Sequence, residues 1–550
     1  MDIVRMELPF GQPLADAYIG RRDSALEALF GYHPADGLSW RRRLDYLKGS
    51  ADRRAGSTEL AGALRAFQQP LGLSEPAERN LERLADGAPV VVGGQQAVLW
   101  TGPLMILYKA VTIVQAARAA SERLGVPVVP VFWIAGEDHD WDEACLACLP
   151  SPLDAPGLRR LAVPRPSGAA TSVSRTRLSA GAVEAALAEL EAGLADTPFK
   201  PELLRSLRAR AAGCGTLTEL FAAMLSDLFA DEGLLLADAD HPALRRLEGP
   251  MFRRLAESSG PLAEAYAASS RRVEALGYAA QAEAAEDAAN LFLFAEAPRA
   301  GERLLLQRAG GRFRDRRGLV SLTESELLEL AESQPERLSN NVLTRPLMQD
   351  YLFPVLSTVL GPGEIAYWAQ TSGGFEHLGM QMPIVTPRLS FTLLEPHAAK
   401  TMARYSLELE QVAAGLGGVK AELLDRQGAE DIRKSFGQAL QAMREAYLPA
   451  LAVAAGQERG LELLGRTNWE RIAREIGYME AKTLQALENR ERAELDRLTG
   501  LELSAAPEGR PQERVLASVY FMNRYGRGWL DRLLAEPYEP CAEHGVMRLG

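Results

Sequence analysis

The chain has 550 residues, 47% of them hydrophobic, and carries 61 Lys and Arg against 73 Asp and Glu, a formal net charge of −12. That length supports two to four domains, and the acidic balance argues against nucleic acid or an anionic membrane as partner, since either requires a basic face. Four cysteines (Cys145, Cys148, Cys214 and Cys541) make no disulfide framework and point to a reducing cytoplasm. The opening residues lack a signal-peptide pattern, and no apolar run approaches the ~18 residues of a membrane span.

The first clear unit spans about 88–135. APVVVGG (88–94) is a β-branched run ending on two glycines, as a central parallel strand does. The loop 93–102 (GGQQAVLWTG) follows. Gly102-Pro103 then opens a helix with Leu104, Leu107, Val111 and Val114 on one face and Gly125 as its carboxyl cap. VPVVPVFWIA (126–135) is the second strand, so the unit is a βαβ crossover. Loops 93–102 and 136–143 both leave carboxyl ends of parallel strands, the rim where open α/β sheets bind ligands. GLLLADAD (233–240) is a third strand, ending on Asp238 and Asp240.

Between the second and third strands lie a Pro/Ser/Arg stretch (164–177) and an Ala/Leu-rich helical segment, read as an insertion. A second insertion is expected near 250–320, where GYAAQAE, LFLFAE and RLLLQRAGGRFRD suggest short strands with a hairpin at Gly310-Gly311. Helix and turn signals alternate over 338–370, and MPIVTPRLSFTLLE (382–395) reads as one more strand. Beyond 396 three heptad-like stripes follow: Met402, Tyr405, Leu409, Val412 and Leu416; Ile432, Phe436, Ala439 and Met443; Trp469, Ile472, Ile476 and Met479. They predict three long helices in an antiparallel coiled-coil arm. The expected division is 1–150 core, 151–232 helical insertion, 233–250 core strand, 251–320 small insertion, 321–395 core, 396–500 arm, and 501–550 a segment returning to the core.

Two rim stretches carry the chemistry. In 93–102, Gly94, Gln95, Gln96, Thr101 and Gly102 precede a helix start, which suits either an anion site or an ordinary βα turn. No P-loop pattern is present, and Lys109 falls about 9 Å along the helix from its start. GEDHDWDE (136–143) reads three ways: as metal ligands, as an acid/base group in which Asp138 or Asp140 orients His139, or as an acidic helix start. Glu137 belongs to the same loop. Cys145 and Cys148 suit helix packing better than a metal, and His377 suits a core position. NNVLTRP and GPGEIAYWAQ add Asn340, Asn341, Arg345, Glu364, Tyr367 and Trp368: an arginine among amides fits a carboxylate or phosphate, and the aromatic pair fits a pocket wall and core packing equally well.

VVVGGQQAVLWTGPLMILYKA, VPVVPVFWIAGEDHDWDE, SNNVLTRPLMQDYLFP, GPGEIAYWAQ, MPIVTPRLSFTLLE and the tail VYFMNRYGRGWLDRLL, in this order, closely resemble the bacillithiol biosynthesis cysteine-adding enzyme family across essentially the whole chain. The resemblance implies an α/β fold: a Rossmann-like parallel-sheet core with inserted connecting domains and a long antiparallel helical coiled-coil arm, through which the chain forms a homodimer. It implies a ligase that joins cysteine to glucosaminyl-malate, with a core similar to class I aminoacyl-tRNA synthetases. The HIGH signature of those enzymes would fall near Thr101 to Leu104, where this chain has TGPL. Their KMSKS region would fall near PRLSFT, which adds Arg388 to the candidate binders, although that motif is not matched.

The expectation is an ATP-dependent amide-forming enzyme without an assigned metal. His139 is its base, oriented by Asp138 or Asp140, and Arg345 and Asn341 hold a substrate carboxylate. The alternatives are a metal-dependent hydrolase using Asp138, His139 and Asp140, or a coiled-coil scaffold with an inactive core.

Overall fold

The computed structural model describes residues 2–8, 11–151, 156–166, 171–296 and 300–550. Parts of the opening stretch (1 and 9–10) and of the Pro/Ser/Arg stretch (167–170) fall outside them. The chain divides into two compact units, one of Met1–Leu149, Arg159–Leu393 and Glu513–Gly550, the other of Pro150–Leu158 and Leu394–Gln512.

The first unit is built on five parallel strands: β1 (Val90–Gln95), β2 (Val129–Ile134), β3 (Leu235–Asp238), β4 (Val355–Leu360) and β5 (Ile384–Pro387), in the order β5-β4-β1-β2-β3. Numbered from β1, this is the doubly wound arrangement in which strand order reverses between β1 and β4. The strands read as unbroken apolar runs because both faces are covered; every residue of β2 and β4 is buried. β1 ends on glycines because there is no room for side chains. A Cβ on Gly93 would lie 3.0 Å from the Val359 carbonyl oxygen of β4, and one on Gly94 the same distance from that of Trp133 on β2.

The helix after β1, α1 (Met105–Leu124), is closed by Gly125 in the left-handed region at φ 67°, as the sequence predicts. The approach to it is strained. Trp100, Thr101 and Gly102 all have positive φ, a cost of order 1–3 kcal/mol for each non-glycine residue, and a Cβ on Gly102 would come within 2.7 Å of Val98. The returning tail holds this turn: the Leu104 amide donates to the Leu516 carbonyl (3.0 Å), the Ser518 amide to that of Gly102 (3.0 Å), and Thr101 bonds Ser518 through its hydroxyl at 2.5 Å.

Three local expectations are corrected. VLSTVL is the central strand β4, hidden among turn and helix signals; it leads into α2 (Pro362–His377). The run 382–395 is two strands, β5 and Phe391–Leu394, not one. GYAAQAE is irregular rather than a strand, since the amides of Gln281 and Ala282 both donate to the Gln370 side-chain oxygen (2.8 Å each) and need no strand partner. The hairpin at Gly310-Gly311 is present, joining Arg303–Ala309 to Arg312–Asp315 with both glycines at positive φ. It belongs to a five-stranded antiparallel sheet that extends to Leu338–Asn340, past the boundary drawn at 320.

The second unit is helical. The arm is a hairpin of two long helices, Ala429–Gln457 and Gly460–Arg490, rather than three. The stripe from Met402 to Leu416 is broken by Ser406 at φ 54° into short helices. Tyr447 stacks on Trp469 across the hairpin with centroids 6.1 Å apart, and Gly465 lets the helices close, since a Cβ there would meet Leu451 at 2.5 Å. The final helix of this unit, Arg492–Ala505, runs past residue 501, and the chain rejoins the sheet unit at Glu513. No helix among the described residues is long and apolar enough to cross a membrane.

At the sheet's other end Asp350 is buried between Arg43 and Arg54, and Arg43 also donates to the carbonyls of Val355 (3.0 Å) and Gln381 (2.7 Å). Asp350→Ala strands a fully buried guanidinium and is expected to cost about 3–5 kcal/mol in urea unfolding. Removal of Glu462, paired with Arg466 on the exposed arm, is expected to cost less than about 1 kcal/mol.

Candidate functional site

The two rim loops meet. The Ala135 amide donates to the Gln95 carbonyl (2.9 Å), and the Gln96 side-chain amide donates to the Asp140 carbonyl (2.8 Å). At the reversal between β1 and β4 sits Lys109. Its Nζ donates to the Gly94 carbonyl (2.6 Å), to Gln95 Oε1 (3.0 Å) and to Glu364 Oε2 (2.5 Å). Glu364, in the first turn of α2, also accepts from the Gly361 amide (2.7 Å). Burial lowers the Lys109 pKa, against the pull of Glu364. Burial raises that of Glu364, but Lys109 and Arg345 outweigh it and hold the carboxyl below its ordinary value.

By its place in the sequence Lys109 stands well inside its helix, away from the rim. Its signal was a lone cation within MILYKAVTIV. From there the long side chain reaches back towards the helix start and onto the rim, as helical side chains do.

Arg345 Nη2 donates to the Tyr367 hydroxyl. Burial lowers the Arg345 pKa, yet Tyr367, Glu364, Glu137 and Asp138 together raise it. Asn340 is 2% exposed, and neither polar atom of its side chain has a partner; Arg345 Nε is likewise unpartnered. Buried amides in that state are rare and leave unmet hydrogen-bonding capacity. Arg303, absent from the sequence reading, donates to Ser339 Oγ (2.9 Å) and the Asn340 carbonyl (2.6 Å) and lies 3.8 Å over the Phe292 ring. The His139 ring approaches the same phenyl at 6.5 Å between centroids.

The structure divides the GEDHDWDE loop among several tasks. Glu137 is 4% exposed and paired to Arg245, which also holds Glu248 (2.6 Å) and lies 3.7 Å from Asp240. Burial pushes Glu248 up to about 8 even so. Asp138 Oδ1 accepts from the amides of His139 (2.7 Å) and Asp140 (3.3 Å) and lies 3.6 Å from His139 Nδ1. Asp140 caps the short helix Trp141–Ala144 by accepting from the Glu143 amide (3.2 Å). The acidic-start reading therefore covers Asp140 as well as Asp142 and Glu143, and among the described residues Asp138 is the carboxylate paired with His139. Among the described residues no three His, Cys, Asp or Glu side chains converge as a metal set, so Asp138, His139 and Asp140 do not assemble as the hydrolase alternative requires.

Other candidates are engaged by the scaffold. Thr101 and Gly102 are held in the strained turn by the tail, and the Leu104 amide at the helix start is already occupied. Asn341 builds a turn, accepting from the amides of Leu343 (2.9 Å) and Thr344 (3.0 Å) and donating to Asn290. Trp368 is core, 6.3 Å from Phe375. Arg388 is locked to Glu513 at 2.5 and 3.1 Å.

The fold and rim define an α/β protein of the Rossmann-like class whose crevice gathers Lys109, Glu364, Arg345, Tyr367 and the underemployed Asn340. Residues 1–389 match the N-terminal Rossmann-like domain of Bacillithiol biosynthesis BshC, and residues 391–549 match its C-terminal coiled-coil domain. The chain belongs to the BshC family of bacillithiol biosynthesis. It is 36% identical over 539 residues, 97% of each chain, to a protein of Geobacillus thermodenitrificans named "Putative cysteine ligase BshC", and equally so to its namesake in Geobacillus kaustophilus. A Bacillus cytotoxicus protein of the same name is 32% identical over the full length of both chains.

Lys109→Met tests the electrostatics of the crevice. A carboxyl whose folded pKa is depressed contributes stability above its unfolded value and loses it as pH falls through the folded one. The melting-temperature gap between wild type and variant is therefore expected to be wide at neutral pH and to narrow as pH falls below about 4.

Proposed function

We propose that the protein joins the carboxyl group of L-cysteine to the amine of glucosaminyl-malate, using ATP, as a cytoplasmic homodimer. The observation that carries this reading is the cationic crevice at the strand-order reversal, in a chain that matches the BshC family over both of its domains. Relatives named as cysteine ligases supply the cysteine. Amide formation from a free carboxylate is uphill in water, so the carboxyl needs activation by a phosphate or nucleotide leaving group.

The residues suit such a group. Lys109 is a buried ammonium whose only anionic partner among the described residues is Glu364, and a phosphate oxygen can share that ammonium. Arg345 Nε and the Asn340 amide are unpartnered among the described residues. These donors would hold the negative charge that builds as the activated carbonyl is attacked, the contribution that most often dominates acyl transfer. His139, half exposed and next to Asp138, would take the proton lost by the attacking amine. The new C–N bond forms as the bond to the leaving oxyanion breaks. The arm offers the dimer surface: Met443, Leu448, Val453, Leu463, Leu464 and Met479 are exposed on its two helices.

Product formation from cysteine, glucosaminyl-malate and ATP tests the reading directly. Lys109→Met and Arg345→Met are expected to lower turnover about a hundredfold or more, and His139→Ala by about 10²–10⁴. Wild-type rates in folded variants would refute the crevice assignment. Cysteine-dependent pyrophosphate exchange separates an adenylate from an acyl phosphate. Paired Leu463→Glu and Leu464→Glu substitutions are expected to give monomers in sedimentation; an intact dimer would place the interface elsewhere.

A further inference from the structure

A cavity of about 720 Å³ opens at the carboxyl end of β3, and no step of the proposed ligation uses it. One wall is apolar, made by Phe67, Pro70 and Leu71 of the helix Ser57–Gly72. The opposite wall is polar and includes Ser174, Thr218, Asp238 and Asp240. Gly136 makes this floor possible, because a Cβ there would strike Ser174 Oγ at 1.9 Å and Asp238 Oδ1 at 2.2 Å.

The two carboxylates of the floor are not equivalent. Asp240 is satisfied: Arg175 binds both of its oxygens at 2.8 Å, and Ser172 donates to it at 2.7 Å. Asp238, 5% exposed, accepts only from neutral donors, the Ser174 hydroxyl (2.9 and 3.1 Å) and the Asp240 amide (3.1 Å). Among the described residues no Lys, Arg or His nitrogen pairs with it. Burial and the neighbouring Asp240 push it up to about 7, as happens to a buried carboxylate without a counter-ion. The guanidiniums nearby are engaged elsewhere: Arg175 by Asp240, Arg210 by Asp227 and the Leu71 carbonyl, Arg177 by Glu219 (3.7 Å), and Arg245, whose charge opposes the rise at Asp238, by Glu137 and Glu248.

We infer that this cavity binds a small compound carrying a primary ammonium group on a short apolar body, the ammonium pairing with Asp238 and the body lying against Phe67, Pro70 and Leu71. An ammonium brings the three donors and the positive charge that Asp238 lacks. The inference stands apart from the ligase reading, although both substrates of that reaction contain a primary amine. Binding of propylamine alone tests it whether or not ligation occurs.

The experiment is calorimetric titration of the full chain at about pH 8, where Asp238 is mostly ionised, with propylamine, its neutral counterpart propan-1-ol, L-cysteine and glucosamine. Propylamine is expected to bind saturably and propan-1-ol about tenfold more weakly or not at all. Asp238→Asn, close to isosteric, is expected to erase that preference, and Asp142→Asn, on the neighbouring helix, to leave it intact. Competition with propylamine by cysteine alone or by glucosamine alone assigns the source of the amine. Alcohol binding equal to that of the amine, no saturable amine binding by wild type, or an unchanged preference in Asp238→Asn would each overturn the inference. The first two are read on wild-type protein, so the conclusion does not depend on the variant folding.

Discussion

The crevice depends on one buried ion pair, Lys109 with Glu364, placed where the strand order reverses. A parallel sheet leaves a gap between β1 and β4 because the crossovers from these strands pack on opposite faces. Something polar must close that gap without filling it. Lys109 reaches it from α1 and Glu364 from α2, so one contact ties together the helices that follow the two central strands. The same contact leaves charge at the gap mouth instead of an apolar plug. Burying an ion pair contributes little net stability, so its value lies in fixing a position for charge.

A second ionic system holds the GEDHD loop. Arg245 faces Glu137, Glu248 and Asp240 together, an excess of acid that raises the arginine's pKa against the effect of burial. Removing Glu137 from solvent frees Asp138 and His139 to stand at the surface while their backbone stays anchored. The loop is thus rigid at its base and open at its tip, the arrangement expected of groups that must meet a substrate.

Much of this was legible in the sequence. The β1–α1–β2 crossover, the meeting of the two rim loops and the left-handed cap at Gly125 follow from apolar runs and glycines, which act locally. The strand β4 was not legible, because VLSTVL lies between a proline and a Gly-Pro turn and its pairing with β1 is set from far along the chain. Lys109 was visible as a residue but not as a rim group, since helical position alone does not say how far a side chain snorkels. Asp140 was assigned to the crevice because it neighbours His139, yet its carboxylate turns back to cap a helix, the use that short acidic side chains most often find after a strand. Asn341 and Arg388 went the same way, into a turn and into a buried pair with Glu513. Each is a polar residue whose nearest unmet need was structural.

Asn340 makes the contrast useful. It sits beside Asn341 in the same NNVLTRP motif, and nothing in composition separates the two. In the fold one amide is fully employed by its own turn, while the other has neither donor nor acceptor satisfied at 2% exposure. A buried amide left so costs stability that an apolar residue of similar size would not. Arg345, five residues on in the same motif, is likewise left with an unpartnered Nε. By the same reasoning Arg388, held by Glu513 and the Leu389 carbonyl, has partners within the fold that the Asn340 side chain and Arg345 Nε lack.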